Sequence, residues 1–334
     1  MKTKALVFPS ENRYVLSELT IPEPSPEEMC VRTLVSAISP GTERWILRGK
    51  HIGTRFPCVP GYHRIGIVES VGAGVKEFDV GDIVYGSGNR WEEEDIHNMW
   101  GAHVGHSVSG PAGYTFLGSS LPDSLELDRL SFAILVAVAN RGVNFLGVGP
   151  QEKVLILGAG IIGLCAAQLS ALQCAYPTLL EKDPNRRAVA ARLGIPALAQ
   201  QHGSGSNIEA MAPDGFDALY DTTGDPSAID AMVPKVKRGG RLLLQAQYFD
   251  NPRCAIDLDA IKVREITIRT TCGQDSQDMQ DAITNIRTRR VQITPLITHR
   301  FDAPGDLLKG YDLLDTGLEF NLGMVFRWGN VDEA

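Results

Sequence analysis

The sequence predicts an α/β fold of two parts, a small curled β-rich domain and a doubly wound parallel sheet. Three observations carry that reading. The chain has 334 residues, beyond the size at which one hydrophobic core usually stops growing, so two domains are expected. Residues Phe56 to Gly86 read FPCVPGYHRIGIVESVGAGVKEFDVGDIVYG, with glycines recurring between β-branched pairs such as Ile67-Val68 and Ile83-Val84. From Leu127 onward, helix-like and strand-like segments alternate, the pattern of a sheet covered by helices.

The elements follow in order. Lys4 to Phe8 reads as a first strand, and Val31 to Ser36 and Arg64 to Val71 as two more. Pro60-Gly61 opens a turn, and Gly66, Gly72, Gly74 and Gly81 mark kinks or turns in the strands that follow. Asp128 to Asn144 has helical apolar spacing. Lys153 to Leu157 is a nearly continuous apolar run, typical of a buried parallel strand. Helix-like Ile161 to Gln173, Asn185 to Leu193 and Ser227 to Val236 then alternate with strand-like Pro177 to Glu181, Ala218 to Asp221 and Arg241 to Gln245. The polar, glycine-rich stretch 200–207 reads as a surface loop. One further helix, Asp278 to Thr288, precedes a mixed tail ending in Gly323-Met324-Val325-Phe326. The expected divisions are 1–136, 137–275 and 276–334.

Composition narrows the functional classes. A net charge of −8 argues against a general nucleic-acid footprint. The N-terminus has no charged region followed by an apolar core and cleavage site. The apolar run near Leu130 to Ala139 falls short of the ~20 residues that a membrane helix needs. A cytoplasmic protein without membrane or nucleic-acid partners is expected. The six cysteines, at 30, 58, 165, 174, 254 and 272, form no Cys-x-x-Cys pair, so structural zinc is not expected.

The clearest chemical motif lies in the second half. Val154 to Leu157 leads into Gly158-Ala-Gly160-Ile161-Ile162-Gly163 and an apolar helical run, with an acidic residue, Glu181, eighteen positions past the third glycine. A lone GxGxxG is weak, but one that ends a strand, opens a helix and precedes such a carboxylate is a dinucleotide fingerprint. Gly158 allows the tight turn, Gly160 the approach of a pyrophosphate, and Gly163 close helix–strand packing. The N–H groups of Ile161 and Ile162, at the helix start, suit phosphates. Glu181 is expected to accept from the ribose hydroxyls and to repel a 2′-phosphate, with Asp183 a rival for the role. NAD(H) is therefore the expected cofactor. NADP(H) is the alternative, since Arg186 and Arg187 lie close by.

The order and spacing of these motifs, over Lys4 to about Phe326, resemble the medium-chain dehydrogenase/reductase superfamily. The resemblance implies a GroES-like catalytic domain, a Rossmann domain, and a tail that returns to the catalytic domain. It also implies that Asp221-Thr222-Thr223-Gly224 is the family's Asp-x-x-Gly turn beside the cofactor, which brings in Thr222 and Gly224. In the zinc enzymes of that superfamily a cysteine occupies the position of Pro40, a histidine that of Tyr62, and a third ligand falls near Ile134 to Ala137. None of these positions holds a ligand here, so no metal ligands are assigned and the chain resembles the zinc-less members. Gly41-Thr42-Glu43 and Pro60-Gly61-Tyr62 are similar to the branch containing bacteriochlorophyllide 3-hydroxyethyl dehydrogenase, which often has Glu where His63 stands.

Three residues are left as catalytic candidates. Thr42 matches the family's Ser/Thr that contacts the substrate hydroxyl. Tyr62 places a phenol where zinc would polarise the oxygen. His63, read as titrating near neutrality, is the candidate to carry the proton onward. Glu43 is expected to orient a partner or, by preference, to pair with Arg44 or Arg64. The acidic, aromatic insert Arg90 to Trp100 is a candidate border of the substrate cleft. The leading expectation is a zinc-independent oxidoreductase for a secondary alcohol or ketone of a polyol, sugar or cyclic metabolite. The alternatives are an NADPH-dependent enoyl or quinone reductase and a nucleotide-binding protein without turnover. By the resemblance, the chain is a homodimer joined through the strand-like Glu265 to Thr271.

Overall fold

The computed structural model describes residues 1–199, 208–250 and 253–329; the expected loop 200–207 lies outside the described residues. The chain forms two compact units, Met1–Phe132 together with the stretch from Ile297 onward, and Ala133–Leu296.

In the second unit six strands pair in parallel. Their spatial order is Ala197–Ala199, Tyr176–Glu181, Lys153–Leu157, Phe216–Asp221, Val236–Leu244 and Thr267–Thr270. In chain order that is 3-2-1-4-5-6, the doubly wound arrangement with its switch point between the two central strands. Val154, Leu155 and Ile156 are fully buried there, which is why this strand reads as an unbroken apolar run. Helix Ser276–Arg287 packs on helix Ala133–Leu146. Asn140 Nδ2 donates to Asp278 at 3.1 Å, and Arg141 pairs with Asp278 and Asp275. These ties keep Ser276–Arg287 in the second unit, so the second division falls at 296/297 rather than at 275/276.

The segment read as one helix over Asp128 to Asn144 is two, Ser124–Leu130 and Ala133–Leu146. Ser131 interrupts it, its hydroxyl donating back to the Asp128 carbonyl at 2.8 Å, a local bond that competes with helix continuation. The first division accordingly falls at 132/133. No single helix among the described residues is long and apolar enough to cross a membrane.

The first unit is built on a mostly antiparallel sheet running Ile297–Ala303, Gly323–Trp328, Met29–Ala37, Arg64–Val71, Ile83–Gly86 and Tyr114–Gly118, with His106–Ser109 also paired to Met29–Ala37. The tail strand Gly323–Trp328 pairs with Met29–Ala37, Val325 opposite Ala37. The last segment of the chain thereby completes the sheet of the first. A smaller sheet joins Arg13–Thr20, Lys2–Ser10, Cys58–Val59 and His97–Asn98. Between them Leu6, Phe8, Ile38, Ile46, Leu47, Tyr311 and Phe326 share one apolar cluster, and this cluster seats helix Pro40–Leu47.

Candidate active site

Ser39 to Glu43, matched to a turn in the sequence, are the start of helix Pro40–Leu47. Proline suits the first helical position because the N–H it lacks would have no partner there. The Ser39 side chain makes no cap. Instead Glu43 reaches back and accepts from Ser39 N–H at 2.7 Å. Burial of Thr42, Glu43, Ile46 and Leu47 on one face then fixes the direction of the Thr42 hydroxyl. Twenty residues on, the turn Pro60-Gly61 carries Tyr62, and the two side chains meet: Thr42 Oγ1 and Tyr62 Oη share a 2.6 Å hydrogen bond. The edge of one ring meets the face of the other where Tyr62 packs on Trp100, centroids 4.6 Å apart.

His63 does not join that pair. Its ring packs against Tyr85 at 5.0 Å. Among the described residues its Nδ1 atom is buried without a hydrogen-bond partner. Burial pushes the imidazole down to about 4, with the neighbouring Arg64 guanidinium adding to the shift. The expectation that His63 titrates near neutrality is corrected: over the physiological range it is neutral. Arg64 is itself fully buried and spends its guanidinium on Tyr114 Oη (2.8 Å), the Gly101 carbonyl (2.7 Å), Asn89 Oδ1 (2.5 Å) and Ser107 Oγ.

Among the described residues, the side-chain partners of Glu43 are not the two arginines favoured from the sequence. Its carboxylate, wholly buried, accepts from His103 Nε2 at 3.0 Å and from the Tyr311 hydroxyl. Burial, and then the Glu43 charge, push the Tyr311 phenol well above its ordinary value. From the insert Arg90 to Trp100, Trp100 is the residue that reaches Tyr62, while Glu93 is tied to Thr20 N–H at 3.0 Å.

In the second unit the glycine loop has the features of a phosphate cradle. Gly158 has φ +91°. A Cβ on Gly163 would lie 2.0 Å from the Gly158 carbonyl oxygen, whereas one on Gly160 would meet nothing within 4 Å. Helix Ile161–Leu172 starts at Gly160 without a side-chain cap, leaving the N–H groups of its first turn for a ligand. Glu181 ends its strand almost fully buried, accepting from Ala159 N–H at 2.7 Å and Asp183 N–H at 2.8 Å. The rival Asp183 caps helix Pro184–Arg192 through Asn185 N–H. Arg187 donates to the carbonyls of Glu181 and Lys182. Arg186 stands 4.0 Å from Glu181 and 3.9 Å from Asp183, balanced between two carboxylates.

Thr222 bonds back to the Leu157 carbonyl at 2.7 Å, and Asp221 holds the turn through Thr223 and Gly224. The residues present thus fit a dinucleotide. Tyr248 is a member that sequence reading missed. It donates to Asp221 at 2.6 Å and follows the strand Val236–Leu244, where ligands of open α/β sheets collect. Burial, and then Asp221, push its phenol upward. Arg241, at the other end of that strand, pairs with Glu152 at 2.6 Å.

Two family models match the chain, one for each kind of domain. The alcohol dehydrogenase GroES-like domain matches residues 25–119. The zinc-binding dehydrogenase matches residues 162–288. The chain belongs to the medium-chain dehydrogenase/reductase superfamily. It is similar to L-threonine 3-dehydrogenase of Vibrio cholerae, 25% identical over 95% of this chain and 97% of the relative. It is equally similar, at 25% over 90% of each chain, to 2-desacetyl-2-hydroxyethyl bacteriochlorophyllide A dehydrogenase of Cereibacter sphaeroides. Among solved structures, a dehydrogenase of Sinorhizobium meliloti bound to NADP superposes with a TM-score of 0.83 at 21% identity, covering 98% of this chain and 99% of the other.

As a medium-chain dehydrogenase/reductase the chain is an oxidoreductase. Among the described residues the zinc implied by one family description finds no matching donor set. Proline 40 offers no ligand atom, and the oxygen of Tyr62 is bonded to Thr42. Among the described residues no group of three or more His, Cys, Asp or Glu side chains is placed to hold a metal ion.

Proposed function

We propose that this medium-chain dehydrogenase/reductase moves a hydride between NAD(H) and a secondary alcohol or ketone on a small hydroxylated metabolite, without zinc. The observation that supports the proposal is the 2.6 Å hydrogen bond between Thr42 and Tyr62, which joins the phenol at an expected zinc-ligand position to the hydroxyl expected to contact substrate. In the oxidising direction the substrate hydroxyl gives its proton to this pair as the pair passes one of its own protons to solvent, and the carbinol hydrogen leaves with its electron pair. The dinucleotide, when bound through Gly158 to Gly163 and Glu181, supplies the acceptor for that hydride. In the reducing direction Tyr62 Oη–H donates to the carbonyl oxygen, and the Thr42 hydroxyl shares the resulting charge. A neutral His63 orients or packs; it does not ferry the proton. The names of both relatives specify hydroxyl-bearing substrates, which supports a polyol, hydroxyacid or ring-bearing alcohol.

Glu181 supports NAD(H) over NADP(H), because a 2′-phosphate beside it meets like charge. NADH is expected to bind about tenfold or more tightly than NADPH, a difference of ~1.4 kcal/mol, and Glu181→Ala to erase that preference. Fluorescence titration with both dinucleotides measures it. Tighter NADPH binding would refute the assignment and favour the enoyl or quinone reductase. Tight binding with no turnover of L-threonine, sorbitol, inositol, cyclohexanol or an enone would favour a nucleotide-binding protein.

The strand Thr267–Thr270 ends its sheet with all four residues exposed, an unpaired edge suited to a second copy of the chain. A dimer is expected in sedimentation, and Ile268→Lys is expected to yield monomers. A parent protein that stays monomeric at every concentration sinks this part of the proposal.

A further inference from the structure

We infer that His103 is a positioning residue for the Thr42–Tyr62 pair, holding together the two segments that carry those hydroxyls. The inference rests on the catalytic reading of that pair. His103 lies in the loop after the Arg90 to Trp100 insert, sixty residues from Glu43, and touches both segments. Its backbone N–H donates to the Pro60 carbonyl at 3.2 Å, and Ala102 N–H donates to Gly61 at 3.0 Å. Its side chain bonds to Glu43, next in sequence to Thr42, at 3.0 Å. The ring fills the space beside the turn, for a Cβ on Gly61 would lie 2.8 Å from His103 Cδ2, and Gly61 has φ +104°. The imidazole is therefore a wedge between helix start and turn, with no room for a side chain in between.

Both ring nitrogens have partners. Nε2 faces the Glu43 carboxylate, and Ser36 Oγ lies 2.9 Å from Nδ1. Ser36 Oγ in turn accepts from Trp328 Nε1–H at 3.0 Å. Glu43 receives three donors in all, from Ser39 N–H, His103 and Tyr311. The whole network is buried: Ser36, Glu43, His103 and Tyr311 have essentially no exposed surface. Fully satisfied buried networks of this kind rigidify what they join, and removing one member leaves the others unpaired. The geometry kept rigid here is the 2.6 Å contact between Thr42 and Tyr62, and a displacement of about 1 Å in such a contact is enough to slow a reaction ~100-fold.

The test needs no substrate. Tyrosine labelled with 13C at Cζ gives one resonance per ring, with Tyr62 and Tyr311 assigned from Tyr62→Phe and Tyr311→Phe. Tyr311 bonds the same carboxylate as His103 and reports whether the Glu43 network has changed. In His103→Phe, both resonances are expected to move, and His103→Gln, which keeps a donor toward Glu43, is expected to return Tyr62 towards its original position. Movement of Tyr311 alone would overturn the inference, as would no movement of either. If His103→Phe does not fold, Glu43→Gln, which keeps the volume and changes the acceptor, is expected to move both resonances in the same way. On an alcohol that the enzyme turns over, His103→Phe is expected to lower kcat about tenfold or more, with His103→Gln within about threefold of the parent and dinucleotide affinity unchanged. A large effect of Tyr62→Phe with none of His103→Phe sinks the positioning role and leaves the proposed function standing. No effect of Tyr62→Phe sinks the proposed function, whatever the resonances do.

Discussion

Tyr62→Phe is expected to slow hydride transfer by about 100-fold or more, ~3 kcal/mol of barrier, because it removes the proton donor while leaving the ring in place. The ring keeps its packing on Trp100, so the effect should fall on the chemical step and not on folding. Thr42→Val should cost a similar factor. The double variant should lose less than the product of the two, since both remove the same 2.6 Å hydrogen bond. His63→Gln provides the contrast. With the imidazole pushed down to about 4, His63 does not change charge between about pH 5 and 8, so its removal should leave the shape of the pH profile across that window intact. Single-turnover measurement of NADH formation reads all four. A Tyr62→Phe rate within about threefold of the parent would mean that the proton leaves by another route.

Gly163→Val is expected to weaken NADH binding by more than about 100-fold, ~3 kcal/mol. A Cβ there would sit 2.0 Å from the Gly158 carbonyl oxygen, a backbone atom held by the Gly158 N–H bond to Leu180. The helix must move away from the loop to relieve the clash, carrying its first-turn N–H groups with it. Gly160→Ala meets no protein atom within 4 Å, so it should leave the fold intact and act only where a phosphate approaches. Fluorescence titration, paired with thermal unfolding, separates the two. NADH affinity in Gly163→Val within about threefold of the parent would remove the glycine loop from the cofactor site.

Parts of this site were legible in sequence because their cause is local. Gly158-Ala-Gly160-Ile-Ile-Gly163 dictates its own turn, and the strand before it and helix after it follow from a few neighbouring residues. The Thr42 and Tyr62 positions were legible for another reason: their spacing resembles a known family. What could not be read was their partners. His63 stands next to Tyr62 in sequence, yet burial removes its charge near neutrality. Glu43 stands next to Arg44, yet its partners are His103, sixty residues away, and Tyr311, 268 residues away.

The sequence by itself determined the class of fold, the parallel order of strand and helix, and the place of the phosphate loop. Periodicity, glycine conformation and helix starts act over a few residues, so they are visible wherever those residues are written. Tertiary structure alone decided that Tyr248 joins Asp221 and that a buried histidine meets Glu43. Each of those outcomes depends on which distant group arrives to satisfy a buried donor or acceptor. The energy of leaving such a group unpaired is set by the fold around it, and no window of sequence contains it.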